Sequence, residues 1–360
     1  MRLTSNQTRR RISFSLRTLL VAVTAIAVFL GWYVRSDIVV SAMPEKPEYM
    51  LGEPGTVLFK VTDRSGKYQA ITVGGDYRNR LGRPESFQVE VVGEDGKNVP
   101  QPDAGMQMGG LSAPQKLPTN EPYVFGLFLP HWATFEKPGR YTIKIRRKLE
   151  LFLADGPLAL NGKTESIEAS ATTTVLIVPK DAVKFGKLIS KLGNTMLGDN
   201  YNEAERAEMI LTAMHDERVI SYFVPLADRA RLEPRYAACR ALGKYDNDQA
   251  LATLKKLTTT TGADLRDHAT PSEHAESSAA AVRHLAIITI SKSPHPDANP
   301  LLWSFADDAD HRVRMTVLKK AAKLNTPETR AIIKKMTTDE NERVRNEALR
   351  YQKQLAHPQR

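Results

Sequence analysis

Two histidines stand close together in the polar stretch TTTTGADLRDHATPSEHAES (258–277), His268 beside Asp267 and His274 beside Glu273. Imidazoles next to carboxylates are the material of a metal site or a proton relay. Their spacing matches no zinc-binding pattern, and the flanking Thr, Ser and Pro read as a loop. A third histidine, His131, adjoins Trp132 at a strand end and reads as structural. The run DDAD (307–310) has the composition of a calcium ligand set. It falls at a helix junction, where Asp is the natural N-cap. The sequence contains no HExxH, GxSxG, P-loop or GxGxxG. The single cysteine, Cys239, excludes a disulfide framework and a CxxC knuckle. It lies in the apolar run YAACRALGKY and reads as a small core residue. No catalytic residue, cofactor or metal ligand is therefore assigned.

What remains is charge. The chain carries a formal +10, of which residues 1–17 supply +5 through Arg2, Arg9, Arg10, Arg11 and Arg17. Residues 312–360 hold 13 basic and 5 acidic side chains, a net +8. Within that segment Lys319, Lys320 and Lys323 fall on one helical stretch and Arg330, Lys334 and Lys335 on the next. Together they form a candidate face for an anionic partner, whether acidic protein, anionic polymer or lipid surface. Nucleic acid is disfavoured, because aromatic side chains are nearly absent from the patch.

Three kinds of element would position these residues. From Thr18 to Val34 no residue carries a formal charge; arginines precede the run, and Trp32 and Tyr33 stand near its end. As a helix it reaches roughly 26 Å, near the thickness of a hydrocarbon core. The expectation is a transmembrane signal anchor at 18–34 behind a basic cytoplasmic arm at 1–17. A cleaved signal peptide, with VSA at 40–42 as its processing site, and a buried soluble helix are the alternatives. TRRRIS matches a twin-arginine signal only in part.

Between 38 and 180 the texture becomes short β-type runs: TVLFKVTD (56–63), ITVGGDYR (71–78), SFQVEVVG (86–93), YVFGLFLP (123–130), RYTIKIRRKL (140–149) and EASATTTVLIV (168–178). GEPG, DRSG, GEDG, EKPG and ADGP separate them as turns. Phe87, Val89 and Val91 alternate with Gln88, Glu90 and Val92, as do Tyr141, Ile143 and Ile145 with Thr142, Lys144 and Arg146. A period of two describes half-buried antiparallel strands, and six or seven of them predict a β-sandwich. MQMGGLSAP (106–114) reads as a long loop.

From residue 181 to 360 the period becomes 3.6 and an internal repeat emerges. The pair VR occurs at 282–283, 313–314 and 344–345, at one constant interval, and PR at 234–235 precedes them by a longer one. The excess fits an insertion within 258–277. After each arginine come Ala238, Ala286, Val317 or Ala348 and then Cys239, Ile287, Leu318 or Leu349, small and large residues that stack neighbouring helices. VISYFVPLAD, QALATLKKL, NPLLWSFADD and TRAIIKKMTT supply the preceding helices.

Three resemblances follow from these residues. DADHRVRMTVL (308–318) and DENERVRNEAL (339–349) resemble the junction of HEAT repeats, implying a helical solenoid whose surface binds a partner. EPRYAAC lacks the valine of that junction. WATFEKPGRYTIKI resembles the turn-then-strand entry of immunoglobulin-like domains, though no Cys–Trp–Cys pattern accompanies it. FSLRTLLVAVTAIAVFLGW (14–32) is similar to the N-terminal segment of uncharacterised bacterial membrane-anchored proteins.

The combined expectation is a multidomain chain: one transmembrane helix, an all-β immunoglobulin-like sandwich and an all-α HEAT-like solenoid. Its place would be the bacterial cell membrane, single-pass, with the N-terminus cytoplasmic and the bulk periplasmic, or exported after signal cleavage. Its work would be protein binding as a scaffold without catalysis. The alternatives are an enzyme or maturation factor, with a site where sandwich meets solenoid or in 258–277, and a basic repeat face bound to an anionic polymer or lipid.

Overall fold

The computed structural model describes residues 21, 23–24, 37–74, 86–102, 112–155, 163–265 and 272–356. The chain divides into two compact units. One takes residues 1–48, 55–134 and 139–176, the other 49–54, 135–138 and 177–360.

The strands are β1 (Ile38–Pro44), β2 (Glu48–Met50), β3 (Thr56–Asp63), β4 (Tyr68–Gly74), β5 (Phe87–Gly93), β6 (Ser112–Lys116), β7 (Pro122–Phe128), β8 (Gly139–Leu153) and β9 (Thr164–Val178). They form a three-stranded sheet, β1-β3-β7, and a six-stranded sheet, β2-β9-β8-β4-β6, with β5 also paired to β8. β8 is long enough to pair antiparallel with β5 along one part and with β4 along another. Its side chains alternate, burying Tyr141, Ile143, Ile145, Arg147, Leu149 and Leu151. The two sheets meet through Phe59 of β3, Phe87 of β5 and Phe125 of β7. Phe87 lies edge-on to both other rings, at 5.6 and 5.4 Å between centroids. Arg147 falls in the inward phase of β8 and is buried. Its guanidinium stacks 4.5 Å from Phe87 and 4.2 Å from Phe125, and Nη2 donates to the Thr72 carbonyl at 3.2 Å. The DRSG turn is tied by Asp63, whose carboxylate accepts from the Ser65 and Gly66 amides. Gly66 there adopts φ +69°, where a side chain would be strained.

The second unit is built mainly of helices: α1 (Ala182–Met196), α2 (Tyr201–Ala213), α3 (Ile220–Phe223), α4 (Leu232–Leu242), α5 (Asp248–Leu257), α6 (Ser272–Ile290), α7 (Ala298–Trp303), α8 (His311–Leu324), α9 (Pro327–Met336) and α10 (Glu342–Ala356). One continuous apolar cluster runs from Phe185 to Ala348. The starts are capped as the sequence dictates: Asp181, Asn200, Asn247, Asp310 and Thr326 each accept a backbone N–H of the first turn. VISYFVPLAD is the irregular member. Pro225 lacks a backbone N–H, and the segment breaks into the short α3 flanked by 3₁₀ turns.

The membrane expectations need correction. Among the described residues no helix is long and apolar enough to cross a membrane. The longest helix there, α6, carries Glu276 and Arg283, and a span needs about 20 predominantly apolar residues. The arm at 1–17 and the stretch 18–34 lie outside the described residues, except Val21, Val23 and Thr24. The single transmembrane helix of the expected fold class is thereby overturned, and with it the single-pass membrane location. The VSA of the cleavage alternative lies inside β1, where Ser41 pairs with Lys60 and Ala42 with Phe59. Cutting there would divide a paired strand.

Two loop expectations also change. Residues 112–116 form β6 at the sheet edge, while 106–111 lie outside the described residues. The 258–277 stretch contains a 3₁₀ turn, Gly262–Leu265, and the first turns of α6.

Candidate functional site: the helical-repeat surface

The repeat seen in the sequence is a repeat of hydrogen bonds. Arg235 stands near the start of α4, and its Nε donates to the carbonyl of Arg229, six positions earlier, at 2.7 Å. Arg314 of α8 donates from Nη1 to the Asp308 carbonyl, again six back, at 2.7 Å. Arg345 of α10 donates to the Asp339 carbonyl, six back, at 2.7 Å. The arginine therefore closes each interhelical turn onto the helix that follows it. Arg283 departs from the pattern for a visible reason. α6 starts at Ser272, so the sixth position back, Ser277, is already helical. Arg283 reaches instead to the Thr260 carbonyl and to Glu276.

Two of these arginines also bind the neighbouring repeat. Arg235 reaches Thr260 Oγ1 at 3.1 Å and the Asp264 carbonyl at 3.2 Å. Arg314 forms a two-pronged pair with Asp339, 2.8 Å on each side, with side-chain exposures of 7% and 6%. That contact holds the Arg314 pKa up and the Asp339 carboxyl down. A second lock repeats on the first helices. Lys256 of α5 pairs with Asp228, and Lys335 of α9 with Asp307, both members displaced along the chain by the same interval.

The network draws in several candidate residues. Lys335, placed on the anionic-partner face from sequence, is engaged by Asp307. Lys320 is partly buried, which lowers its pKa. Arg330 is exposed, with its Nε fixed by Asn325 Oδ1 at 2.8 Å. Asn325 ends α8 in the left-handed conformation. Lys319, Lys323 and Lys334 are exposed and form no ion pair among the described residues. Of the acidic run, Asp310 caps α8 through the Arg312 amide at 2.8 Å, and Arg312 draws the Asp310 pKa down to about 2.

The described residues contain no group of three His, Cys, Asp or Glu placed to hold a metal. His268 lies outside them. In the 258–277 segment Thr260 and Glu276 are engaged by Arg235 and Arg283, and Glu276 also accepts from the Gly262 amide at 2.8 Å. Cys239 is fully buried, and desolvation pushes its thiol to about 12. His131 stacks edge-on to Phe128 at 5.0 Å.

Sequence reasoning found the arginines by spacing and missed their partners. Asp339 lies one repeat beyond Arg314. It opens the junction DENERVRNEAL, six before Arg345, as Asp308 opens DADHRVRMTVL, but nothing in that pattern pairs it with Arg314.

The C-terminal helices are similar to a known class. The family model of HEAT repeats matches residues 270–351, a stretch that takes in α6 through most of α10. No curated protein matches the chain. HEAT repeats commonly mediate protein–protein interaction, their stacking building an extended concave surface for a partner. The immunoglobulin-like resemblance of the sheets rests on its sequence segment alone.

Proposed function

We propose that this protein is a non-catalytic scaffold whose C-terminal helical repeats bind an acidic protein partner. The observation that carries the reading is the contrast among its basic side chains. Arg235, Arg314, Arg345, Lys256 and Lys335 are used internally to lock the repeats. Lys319, Lys323, Arg330 and Lys334 are exposed with no carboxylate bound among the described residues. Cations that pair with no carboxylate and lie on two successive helices provide an attractive field for an anionic surface.

The test is site-specific photo-crosslinking in cells expressing the full chain, with the photoreactive residue at Lys319, Lys323 or Lys334 and a control at Val124 on β7. The scaffold reading expects one discrete adduct from the helical positions, identified by mass spectrometry as a protein with an acidic surface, and none from Val124. Adducts from Val124 alone, or none from any helical position, would overturn it.

A further inference from the structure

The last helix pair differs from those before it at the positions that earlier pairs bury. The residue seven beyond the repeat arginine is Leu242 in α4, Ile290 in α6 and Ala321 in α8, all fully buried. In α10 it is Gln352, and it is exposed. Four beyond the arginine, Leu318 is 0% exposed but Leu349 is 38% exposed. On the first helices, Leu251 of α5 is buried. Arg330 of α9 stands at the counterpart position and is exposed, while Asn299 of α7, one repeat interval before Arg330, is already polar and only partly buried. Among the described residues no further helix covers α10. Leu349, Gln352 and Arg330 are exposed on this last pair, and polar and basic groups stand where Leu242, Ile290, Ala321 and Leu251 are buried.

Beside them lies a groove of about 260 Å³ between α9 and α10, lined by Arg330, Ile333, Lys334, Gln352 and Leu355. Ile333 is buried and Leu355 partly so, giving an apolar floor. Arg330 and Lys334 are four apart on α9 and so stand on one side of the helix, about one turn apart. Asn325 holds Nε of Arg330 and leaves the outer nitrogens of the guanidinium for a ligand. The arrangement is a preorganised cation and an untethered cation beside an apolar trough.

We infer that the α9–α10 groove binds an amphipathic acidic helix of a partner protein, seating an aliphatic side chain on Ile333 and Leu355 while glutamate or aspartate pairs with Arg330 and Lys334. Charge decides the occupant. An apolar helix face laid into the groove would bury the outer guanidinium nitrogens of Arg330 and the Gln352 amide without partners. A helix with carboxylates flanking its apolar stripe satisfies them. The inference deepens the scaffold reading by naming the groove and the class of ligand, and it rests on that reading.

The experiment is fluorescence anisotropy on the full chain with a fluorescein-labelled amphipathic peptide of about four helical turns, leucine at i, i+3, i+4 and i+7 and glutamate on the flanks. Two further probes replace every glutamate by glutamine or every leucine by serine. The proteins compared are the natural chain, Arg330→Gln/Lys334→Gln and Lys319→Gln/Lys323→Gln. All four substituted positions are exposed, so the core is untouched.

The groove predicts saturable binding, weakened by about tenfold or more in the Arg330/Lys334 variant and with either altered peptide. The Lys319/Lys323 variant changes it by no more than about threefold. No binding to the natural chain, no loss in the groove variant, or equal loss in both variants overturns the proposal. Crosslinking separates the two readings. Adducts from position 319 or 323 that persist undiminished in Arg330→Gln/Lys334→Gln leave the scaffold standing and remove the groove, whereas absence of all helical adducts in the otherwise natural chain removes the scaffold itself.

Discussion

Replacing Arg314 by alanine probes the repeat lock where it is deepest. The substitution removes two 2.8 Å contacts to Asp339 and the donors to the carbonyls of Asp308 and Ala309 at 2.7 and 3.1 Å. It leaves the Asp339 carboxylate almost fully buried without its cation. Breaking a buried pair from one side costs about 3–5 kcal/mol. Arg345→Ala removes contacts to two backbone carbonyls and no carboxylate, and its cost is about 1–2 kcal/mol. Lys335→Ala breaks an exposed pair worth about 0–1 kcal/mol. Arg314→Met with Asp339→Asn removes both charges and keeps an acceptor for the Asn341 amide, so it should recover part of the Arg314→Ala loss.

Because the chain has two units, a single global transition is a poor ruler. Amide hydrogen exchange of residues 311–356 in the full chain measures the relevant local stability. Its pH dependence has a definite sign: the folded Asp339 carboxyl is held below its ordinary value. The contribution is therefore complete above the ordinary carboxylate range and disappears as pH falls through the depressed value. A cost for Arg314→Ala no greater than that for Lys335→Ala, or unchanged protection across α9 and α10, would refute the lock.

Three further outcomes are expected. A Cβ at Gly193 of α1 would lie 2.2 Å from the Tyr222 ring. Gly193→Ala should therefore cost about 1–3 kcal/mol by overpacking, relieved when Tyr222→Ala is added, as local amide hydrogen exchange of α1 would show. Cys239, buried with its thiol raised to about 12, should resist iodoacetamide in the folded protein at mildly alkaline pH and react fully in denaturant; rapid native labelling would contradict the packing. Asp310 has its pKa lowered from 3.8 to about 2, chiefly by Arg312. Asp310→Asn should destabilise α8 at neutral pH, and the difference from the natural chain should fade as pH drops from about 4 through about 2, as read by hydrogen exchange.

The strands with clear alternation are legible because burial on one face imposes a period of two. TVLFKVTD is β3 from end to end. Arg147 continues the inward phase of Tyr141, Ile143 and Ile145, yet its burial depends on two phenylalanines from other strands, which no local pattern contains. β6 escapes the sequence pattern because SAPQK is a short, mostly exposed edge strand holding Pro114, with no hydrophobic phase to betray it. Reading VSA as a processing site obscures β1. The transmembrane expectation rests on the uncharged run from Thr18 to Val34, which lies almost wholly outside the described residues, and among those no helix is long and apolar enough to cross a membrane.

In the repeats, spacing and turn closure coincide at Arg314 and Arg345, whereas Arg235 keeps the closure at a longer interval and Arg283 keeps the interval without the closure. The shared basic face is only partly legible. Spacing places Lys335 beside Lys334, but the partner that engages it, Asp307, belongs to the preceding pair. Arg330 and Lys334 can be named from sequence. Their groove cannot, since it depends on Gln352 and Leu355 of a different helix and on comparison with buried positions in earlier repeats.

The central claim is that the helical repeats, and not the sheets, carry the partner. Its most direct test is hydrogen-exchange footprinting of the full chain with and without the protein recovered by crosslinking. Protection gained across 311–356, with β1–β9 unchanged, is the predicted result. Protection confined to the sheets, with the exchange of α8, α9 and α10 unaltered, would contradict it.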